Sequence, residues 1–167
     1  MYNDDKELVN MIYDNLGKKA EQKLRNWLDR PEQGYCLDRL PDQMTGFYGS
    51  KNICDFTLFK SPYMYYIESK ATWADRFDFS MITDYQYENL LKKSRITNVY
   101  GVIIILFATE QRAFIIDINE IDRLKQAGKK SINIKKLDSW DIKYTEINTI
   151  PSKKALLDYI GELIIKE

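Results

Sequence analysis

The chain has no histidine among its 167 residues. That absence excludes Ser-His-Asp and Cys-His catalysis, and any zinc site that needs an imidazole ligand. Cysteine is scarce too: Cys36 and Cys54 are the only two, with no Cys-x-x-Cys. So small a number argues against a disulfide framework and for a reduced, cytoplasmic setting. Long apolar runs are missing. The longest, Val102 to Ala108, falls far short of a bilayer span, and no membrane association is expected. The N-terminus, MYNDDKELVN, is acidic and polar and does not read as a signal peptide. Neither sign of charge is in excess, since 25 Lys and Arg balance 25 Asp and Glu. Repeats, low-complexity tracts and linkers are absent as well. The length suits one domain over 1–167 with a core of its own.

With imidazole gone, any hydrolytic chemistry must rest on carboxylates, lysine and a hard metal ion. The elements that could carry them read as follows. Residues 5–29 form a helix, with Leu16, Ala20, Leu24, Trp27 and Leu28 at helical spacing and Pro31 beyond the end. Tyr35 to Leu40 is a short strand, and residues 41–52 are a loop rich in turn formers. Two strands follow within CDFTLFKSPYMYYIESKAT, residues 54–72, split by a turn at Lys60-Ser61-Pro62. Thr83 to Ser94 is helical. Tyr100 to Ala108 is a strand, apolar throughout and so buried on both faces. Arg112 to Ile118 is another strand, then a helix runs from Asn119 to Gln126, closed by Gly128. Ser131 to Leu137 is a short strand, and Ser152 to Ile165 a helix capped by Ser152. The order predicts a mixed sheet with helices on both faces.

The strand pair is where chemistry concentrates. Side chains at i and i+2 share a face of a strand, so Glu68 and Lys70 point the same way. If the two strands form a hairpin, Asp55 lies near Glu68. Two such carboxylates repel, and one pKa rises unless a cation lies between them. A hard divalent ion is the natural neutraliser, and a lysine beside it can orient water or stabilise charge on a phosphate oxygen. A solvated Glu/Lys alternation is the competing reading of the triplet. The apolar Tyr65, Tyr66 and Ile67 alongside speak against an ordinary exposed strand.

These residues resemble the PD-(D/E)XK nuclease superfamily, and more narrowly the RecU-type and archaeal-type Holliday junction resolvases with their phage relatives. The likeness rests on CDF followed by YYIESKAT, on RFDFSMITDYQYENLL, on NVYGVIIILFATEQRAFIIDINEIDRL with KKSINIKKL after it, and on LGKKAEQKLRNWLDRPEQGYCLDRLPDQ. It covers nearly the whole chain and implies a restriction-endonuclease-like mixed β-sheet flanked by helices. It also implies roles. Asp55 and Glu68 would ligate the metal, and Lys70 would orient water or stabilise charge. Gln86 would be a further site residue near the metal, with a plain helix-start residue as the alternative. Glu21 would lie at the edge of the site, against the alternative of a solvated helix residue. Arg39 matches a basic residue just past the first helix. Three departures stand out. Ile53 occupies a position where the RecU type has threonine, and Cys54 replaces the usual proline or threonine and reads as a buried packing residue. The RecU-type stalk has no counterpart beyond the loop of Gly46, Gly49 and Ser50.

The implied activity is magnesium-dependent cleavage, with manganese as the alternative metal, of four-way DNA junctions by paired phosphodiester hydrolysis, in a phage or prophage protein. Another nuclease of the same fold, or a non-catalytic DNA-binding protein that kept it, are the alternatives. Paired cuts on a nearly two-fold substrate imply a homodimer, for which Phe47, Tyr48, Phe77, Phe79 and Met81 are candidate interface residues, an ordinary core being the other reading. Expected DNA contacts are Lys18, Lys19 and Lys23 on the first helix, Arg39, Ser50 in the loop, and Lys92, Lys93 and Arg95 at the end of the central helix. A third basic run, Lys125, Lys129, Lys130, Lys135 and Lys136, reads either as a solvated face or as part of a phosphate-binding surface.

Overall fold

The computed structural model describes residues 17, 18, 20–22, 24–26, 28–41, 51–110 and 112–147. The expected C-terminal helix, the start of the first helix, Lys19, Lys23, Phe47, Tyr48 and Ser50 lie outside these. Helix α1 falls within 17–28, followed by strand β1 (Cys36–Arg39). Strands β2 (Phe56–Lys60) and β3 (Tyr63–Thr72) form the expected antiparallel hairpin, joined by Ser61 and a cis Pro62. Next come β4 (Arg76–Asp78), α2 (Asp84–Lys93), β5 (Val99–Phe107), β6 (Arg112–Asp117), α3 (Ile118–Gln126), β7 (Ser131–Asn133) and β8 (Thr145–Ile147).

Six strands make one mixed sheet in the order β1-β2-β3-β5-β6-β8, while β4 and β7 pair separately. Among the described strands only β3 and β5 run parallel, which requires a crossover between them. α2 lies in that connection. The sheet separates two apolar layers. On one side Leu24 and Leu28 of α1 pack with Tyr65, Ile67, Val102, Ile104 and Ile115. On the other, Leu90 of α2 and Ile121 and Leu124 of α3 pack with Ile103, Ile105, Phe107, Phe114 and Ile116. The apolar run of β5 is thus divided between two cores by its period of two, as an uninterrupted hydrophobic strand requires.

Gly101 explains how closely α2 seats on β5. A Cβ there would lie 3.0 Å from the Leu90 carbonyl oxygen and 3.1 Å from Ile118 Cγ2. Phe77 and Phe79 are buried in the larger core and Met81 packs against it. Of the two readings of these three residues, core packing is the one the fold bears out. Residues 131–137 are strand only to Asn133, after which Ile134–Lys136 turn into a 3-10 helix. Among the described residues no helix is long and apolar enough to cross a membrane.

Candidate active site

The hairpin register sets the site. Phe56 pairs with Ile67, and Asp55, one residue earlier, donates its N–H to the Ile67 carbonyl at 3.1 Å. Its carboxylate Oδ2 accepts the Ser69 N–H at 2.7 Å, which fixes the side chain beside Glu68. Glu68 pairs with Ile103 and Lys70 with Ile105 across to β5. Both therefore point into the layer of α2 and α3, toward a core made of isoleucines and phenylalanines.

Glu68 is 1% exposed. Its Oε1 receives the Lys70 ammonium at 2.5 Å and the Gln86 amide at 2.7 Å. Its Oε2 is buried with no hydrogen-bond partner among the described residues. Burial, and then the charge of Asp55, push the Glu68 pKa up to about 7, against the pull of Lys70 and Gln86. Burial raises the Asp55 pKa too; the Ser69 N–H works against it, while Glu21 adds to it and Lys70 and Arg39 oppose it.

Glu120 is a useful contrast, since it is only 6% exposed. Burial also works to raise its pKa, but two hydrogen bonds from Arg123, at 2.6 and 2.8 Å, and the Lys143 N–H at 2.9 Å outweigh that and hold it low. A buried carboxylate that serves structure is satisfied on both oxygens. Glu68 is left with one oxygen unsatisfied next to a second carboxylate, which is the pattern of a group awaiting a cation.

Gln86 holds two positions together. It is the third residue of α2, and with the N-cap Thr83 it closes a capping box: Thr83 Oγ1 accepts the Gln86 N–H and Gln86 Oε1 accepts the Thr83 N–H, each at 3.2 Å. Its amide nitrogen is then free to donate to Glu68. The helix-start reading holds for this side chain, and the same side chain also reaches Glu68. The signal Thr-x-x-Gln was present in the sequence; its use as a bracket for Glu68 was not.

At the rim, Glu21 Oε2 accepts from Arg39 Nε at 3.0 Å and Nη2 at 2.8 Å. The pair ties α1 to β1, and both charges act on Asp55, Glu21 raising its pKa and Arg39 lowering it. Arg39 is therefore engaged by a carboxylate, a partnership that nothing in the sequence announced. Lys18, Lys92 and Arg95 are exposed, and Lys93 Nζ lies 5.2 Å from the ring centre of Tyr66, which shares the Glu68 face of β3. Cys54 is buried, its thiol donates to the Phe56 carbonyl at 3.1 Å, and burial followed by the charge of Glu68 pushes its pKa up to about 12. It is an inert packing residue.

Among the described residues no three His, Cys, Asp or Glu side chains are grouped to hold a metal. Magnesium does not need three, since it binds through one or two carboxylates and keeps several waters. The unpartnered Glu68 Oε2 beside Asp55 fits such an ion, and the nearby Lys70 and Gln86 limit how many further ligands the protein could give.

A family model described as Recombination protein U matches residues 38–163. The chain belongs to that family. RecU proteins are Holliday junction resolvases of the nuclease superfamily that the sequence resembles, and the matched span contains Asp55, Glu68, Lys70 and Gln86. No curated protein matches. Among solved structures the chain is similar to Hjc of Archaeoglobus fulgidus, a Holliday junction resolvase from an archaeal hyperthermophile. The TM-score is 0.45 at 16% identity, over 70% of this chain and 88% of that one.

Proposed function

We propose that this RecU-family chain resolves four-way DNA junctions by metal-dependent hydrolysis of two phosphodiester bonds, as a homodimer with one site per subunit. The observation that carries the reading is the buried, unpartnered Oε2 of Glu68 set against Asp55. Asp55 and Glu68 hold the ion, which is magnesium, with manganese able to replace it. When bound, the ion supplies Lewis-acid polarisation of the phosphate and a water of lowered pKa.

The chain's own residues do the rest. The Ser69 N–H and the hairpin register fix the direction of Asp55, and Gln86 fixes Glu68. Lys70, held at Glu68, presents an ammonium where negative charge develops on the phosphate. The Glu21–Arg39 pair closes the α1 edge. The apolar layer around Ile103 and Ile105 keeps water away from the back of the site, which strengthens every charge interaction inside it.

Lys18, Lys92, Lys93 and Arg95, together with Lys19, Lys23 and Ser50, contact backbone phosphates and supply affinity without sequence preference. The whole of 1–167 acts as one domain, in the cytoplasm of a bacterial host, encoded by phage or prophage. The test is cleavage of a synthetic four-way junction and of a linear duplex, with magnesium and with EDTA. Paired nicks in the junction alone, lost in EDTA, are expected. Metal-independent cleavage, or equal cleavage of both substrates, overturns the reading. Sedimentation at micromolar concentration should give the dimer mass, and a monomer would remove the paired-cut mechanism.

A further inference from the structure

At the start of α2 lies an open cleft of about 790 Å³. Thr83 and Asp84, at the start of α2, line it together with Asp78 and with Lys125, Lys129 and Lys130, at and beyond the end of α3. Five lysines fall between residues 125 and 136 in a chain of zero net charge. Of these only Lys135 has a carboxylate partner among the described residues, Asp75 at 3.1 Å. Three others sit on aromatic faces: Lys125 lies 3.5 Å from the ring centre of Tyr87, Lys129 4.3 Å from that of Trp140, and Lys136 5.6 Å from the same Trp140. Ring faces orient an ammonium without neutralising it. In the cleft itself Lys125 and Lys129 are held this way and Lys130 stands beside them, none with a carboxylate partner among the described residues. That arrangement concentrates positive potential and favours an anion with several charges.

The cleft is joined to the catalytic carboxylates by one side chain. Thr83 lines the cleft, Gln86 closes the capping box with Thr83, and the same Gln86 holds Glu68. Two hydrogen bonds through that single amide keep the start of α2 within a few nucleotides' rise of Glu68, at about 3.4 Å each.

We infer that the cleft between the start of α2 and the end of α3 is a second phosphate-binding subsite, in which Lys125, Lys129 and Lys130 hold the backbone of the duplex arm a few nucleotides from the cut. The inference rests on the nuclease reading of the Asp55–Glu68 site. The partner is a nucleic-acid backbone because the cleft is open to solvent and offers three ammonium groups spaced over residues 125–130. Asp84 and Asp78, the latter paired with Arg76 at 3.0 Å, limit how many phosphates the cleft accepts.

The experiment is a salt titration of binding to a fluorescent four-way junction, in EDTA so that no cleavage occurs. It uses the wild type, Lys129→Gln/Lys130→Gln, and Lys129→Arg/Lys130→Arg. Lys129 and Lys130 are exposed, and circular dichroism confirms the fold of each variant. Two lost phosphate contacts should flatten the slope of log affinity against log salt by about two units, and the arginine variant should restore it. Methylphosphonates placed two to four nucleotides from the cut should weaken the wild type and leave the glutamine variant unaffected. An unchanged slope in the glutamine variant overturns the subsite while wild-type cleavage of the junction keeps the nuclease reading. A wild type that neither binds nor cuts DNA overturns both.

Discussion

Glu68→Gln should make the metal-free protein more stable at pH 8, although it destroys the site. Burial first, and then the negative charge of Asp55, push the Glu68 pKa from 4.5 to about 7. A raised carboxylate pKa means that the folded state disfavours the ionised form. The contribution of Glu68 to stability is therefore fully present below pH 4.5 and is lost as the pH rises through about 7. The difference corresponds to about 3 kcal/mol at pH 8. Glutamine cannot ionise. Its oxygen can still accept from Lys70 and Gln86, and its NH2 takes the place of the unpartnered Oε2. For a domain of this size the gain corresponds to a rise in Tm of roughly 6–12 °C. The measurement is thermal unfolding of both proteins in EDTA at pH 5 and pH 8, read as the difference between them so that groups elsewhere cancel. The gap should be small at pH 5 and large at pH 8. A gap that stays constant with pH, or a variant that melts lower at pH 8, would refute the claim that Glu68 is held ionised against its surroundings.

Magnesium should raise the Tm of the wild type at pH 8 and leave that of Glu68→Gln nearly unmoved; equal shifts would show that the ion binds elsewhere. Asp55→Asn should abolish junction cleavage while binding, followed by anisotropy, stays largely intact, because affinity comes from lysines and arginines. Lys70→Ala should slow cleavage by about 10²-fold, the scale of losing one charge-stabilising group, with metal affinity by titration calorimetry little changed; a large loss of metal would assign Lys70 a different role. Gly101→Ala should cost about 1–3 kcal/mol of stability in urea unfolding, because its Cβ would meet the Leu90 carbonyl oxygen at 3.0 Å.

Much of this was readable before any coordinates. The hairpin and its turn follow from two β-rich runs around Ser61-Pro62, and α2 from Thr83 at its start and its helical spacing. The uninterrupted apolar run of β5 announces burial on both faces. What escaped were two elements of three residues: β4 and β8 exist because neighbours pair with them, and their own sequences carry too few positions for a period to show. The site divides in the same way. Asp55, Glu68 and Lys70 stand out by type and spacing, since a two-residue period fixes their face. The burial of Glu68, the engagement of Arg39 by Glu21 and the double hold of Gln86 depend on contacts between residues 18 positions apart, which no local pattern encodes. The same holds for Phe77 and Phe79, where apolar identity alone does not separate core from interface.

Position 86 is narrowly constrained in what it can accept. The side chain there must receive one hydrogen bond, from the Thr83 N–H, and give another, to Glu68, in opposite directions from one terminal group. A glutamate would close the capping box as well, but it would turn an acceptor toward Glu68 and bring a third carboxylate beside Asp55. Asparagine carries the right pair of groups on a stem one carbon too short to serve both partners. Lysine or arginine could reach Glu68 but offers no acceptor to the Thr83 N–H, which leaves only the Thr83 Oγ1 half of the box. Only the primary amide of glutamine is both donor and acceptor at this reach. The vocabulary permitted at this position is therefore a single letter, set jointly by the beginning of a helix and by a carboxylate 18 residues earlier in the chain.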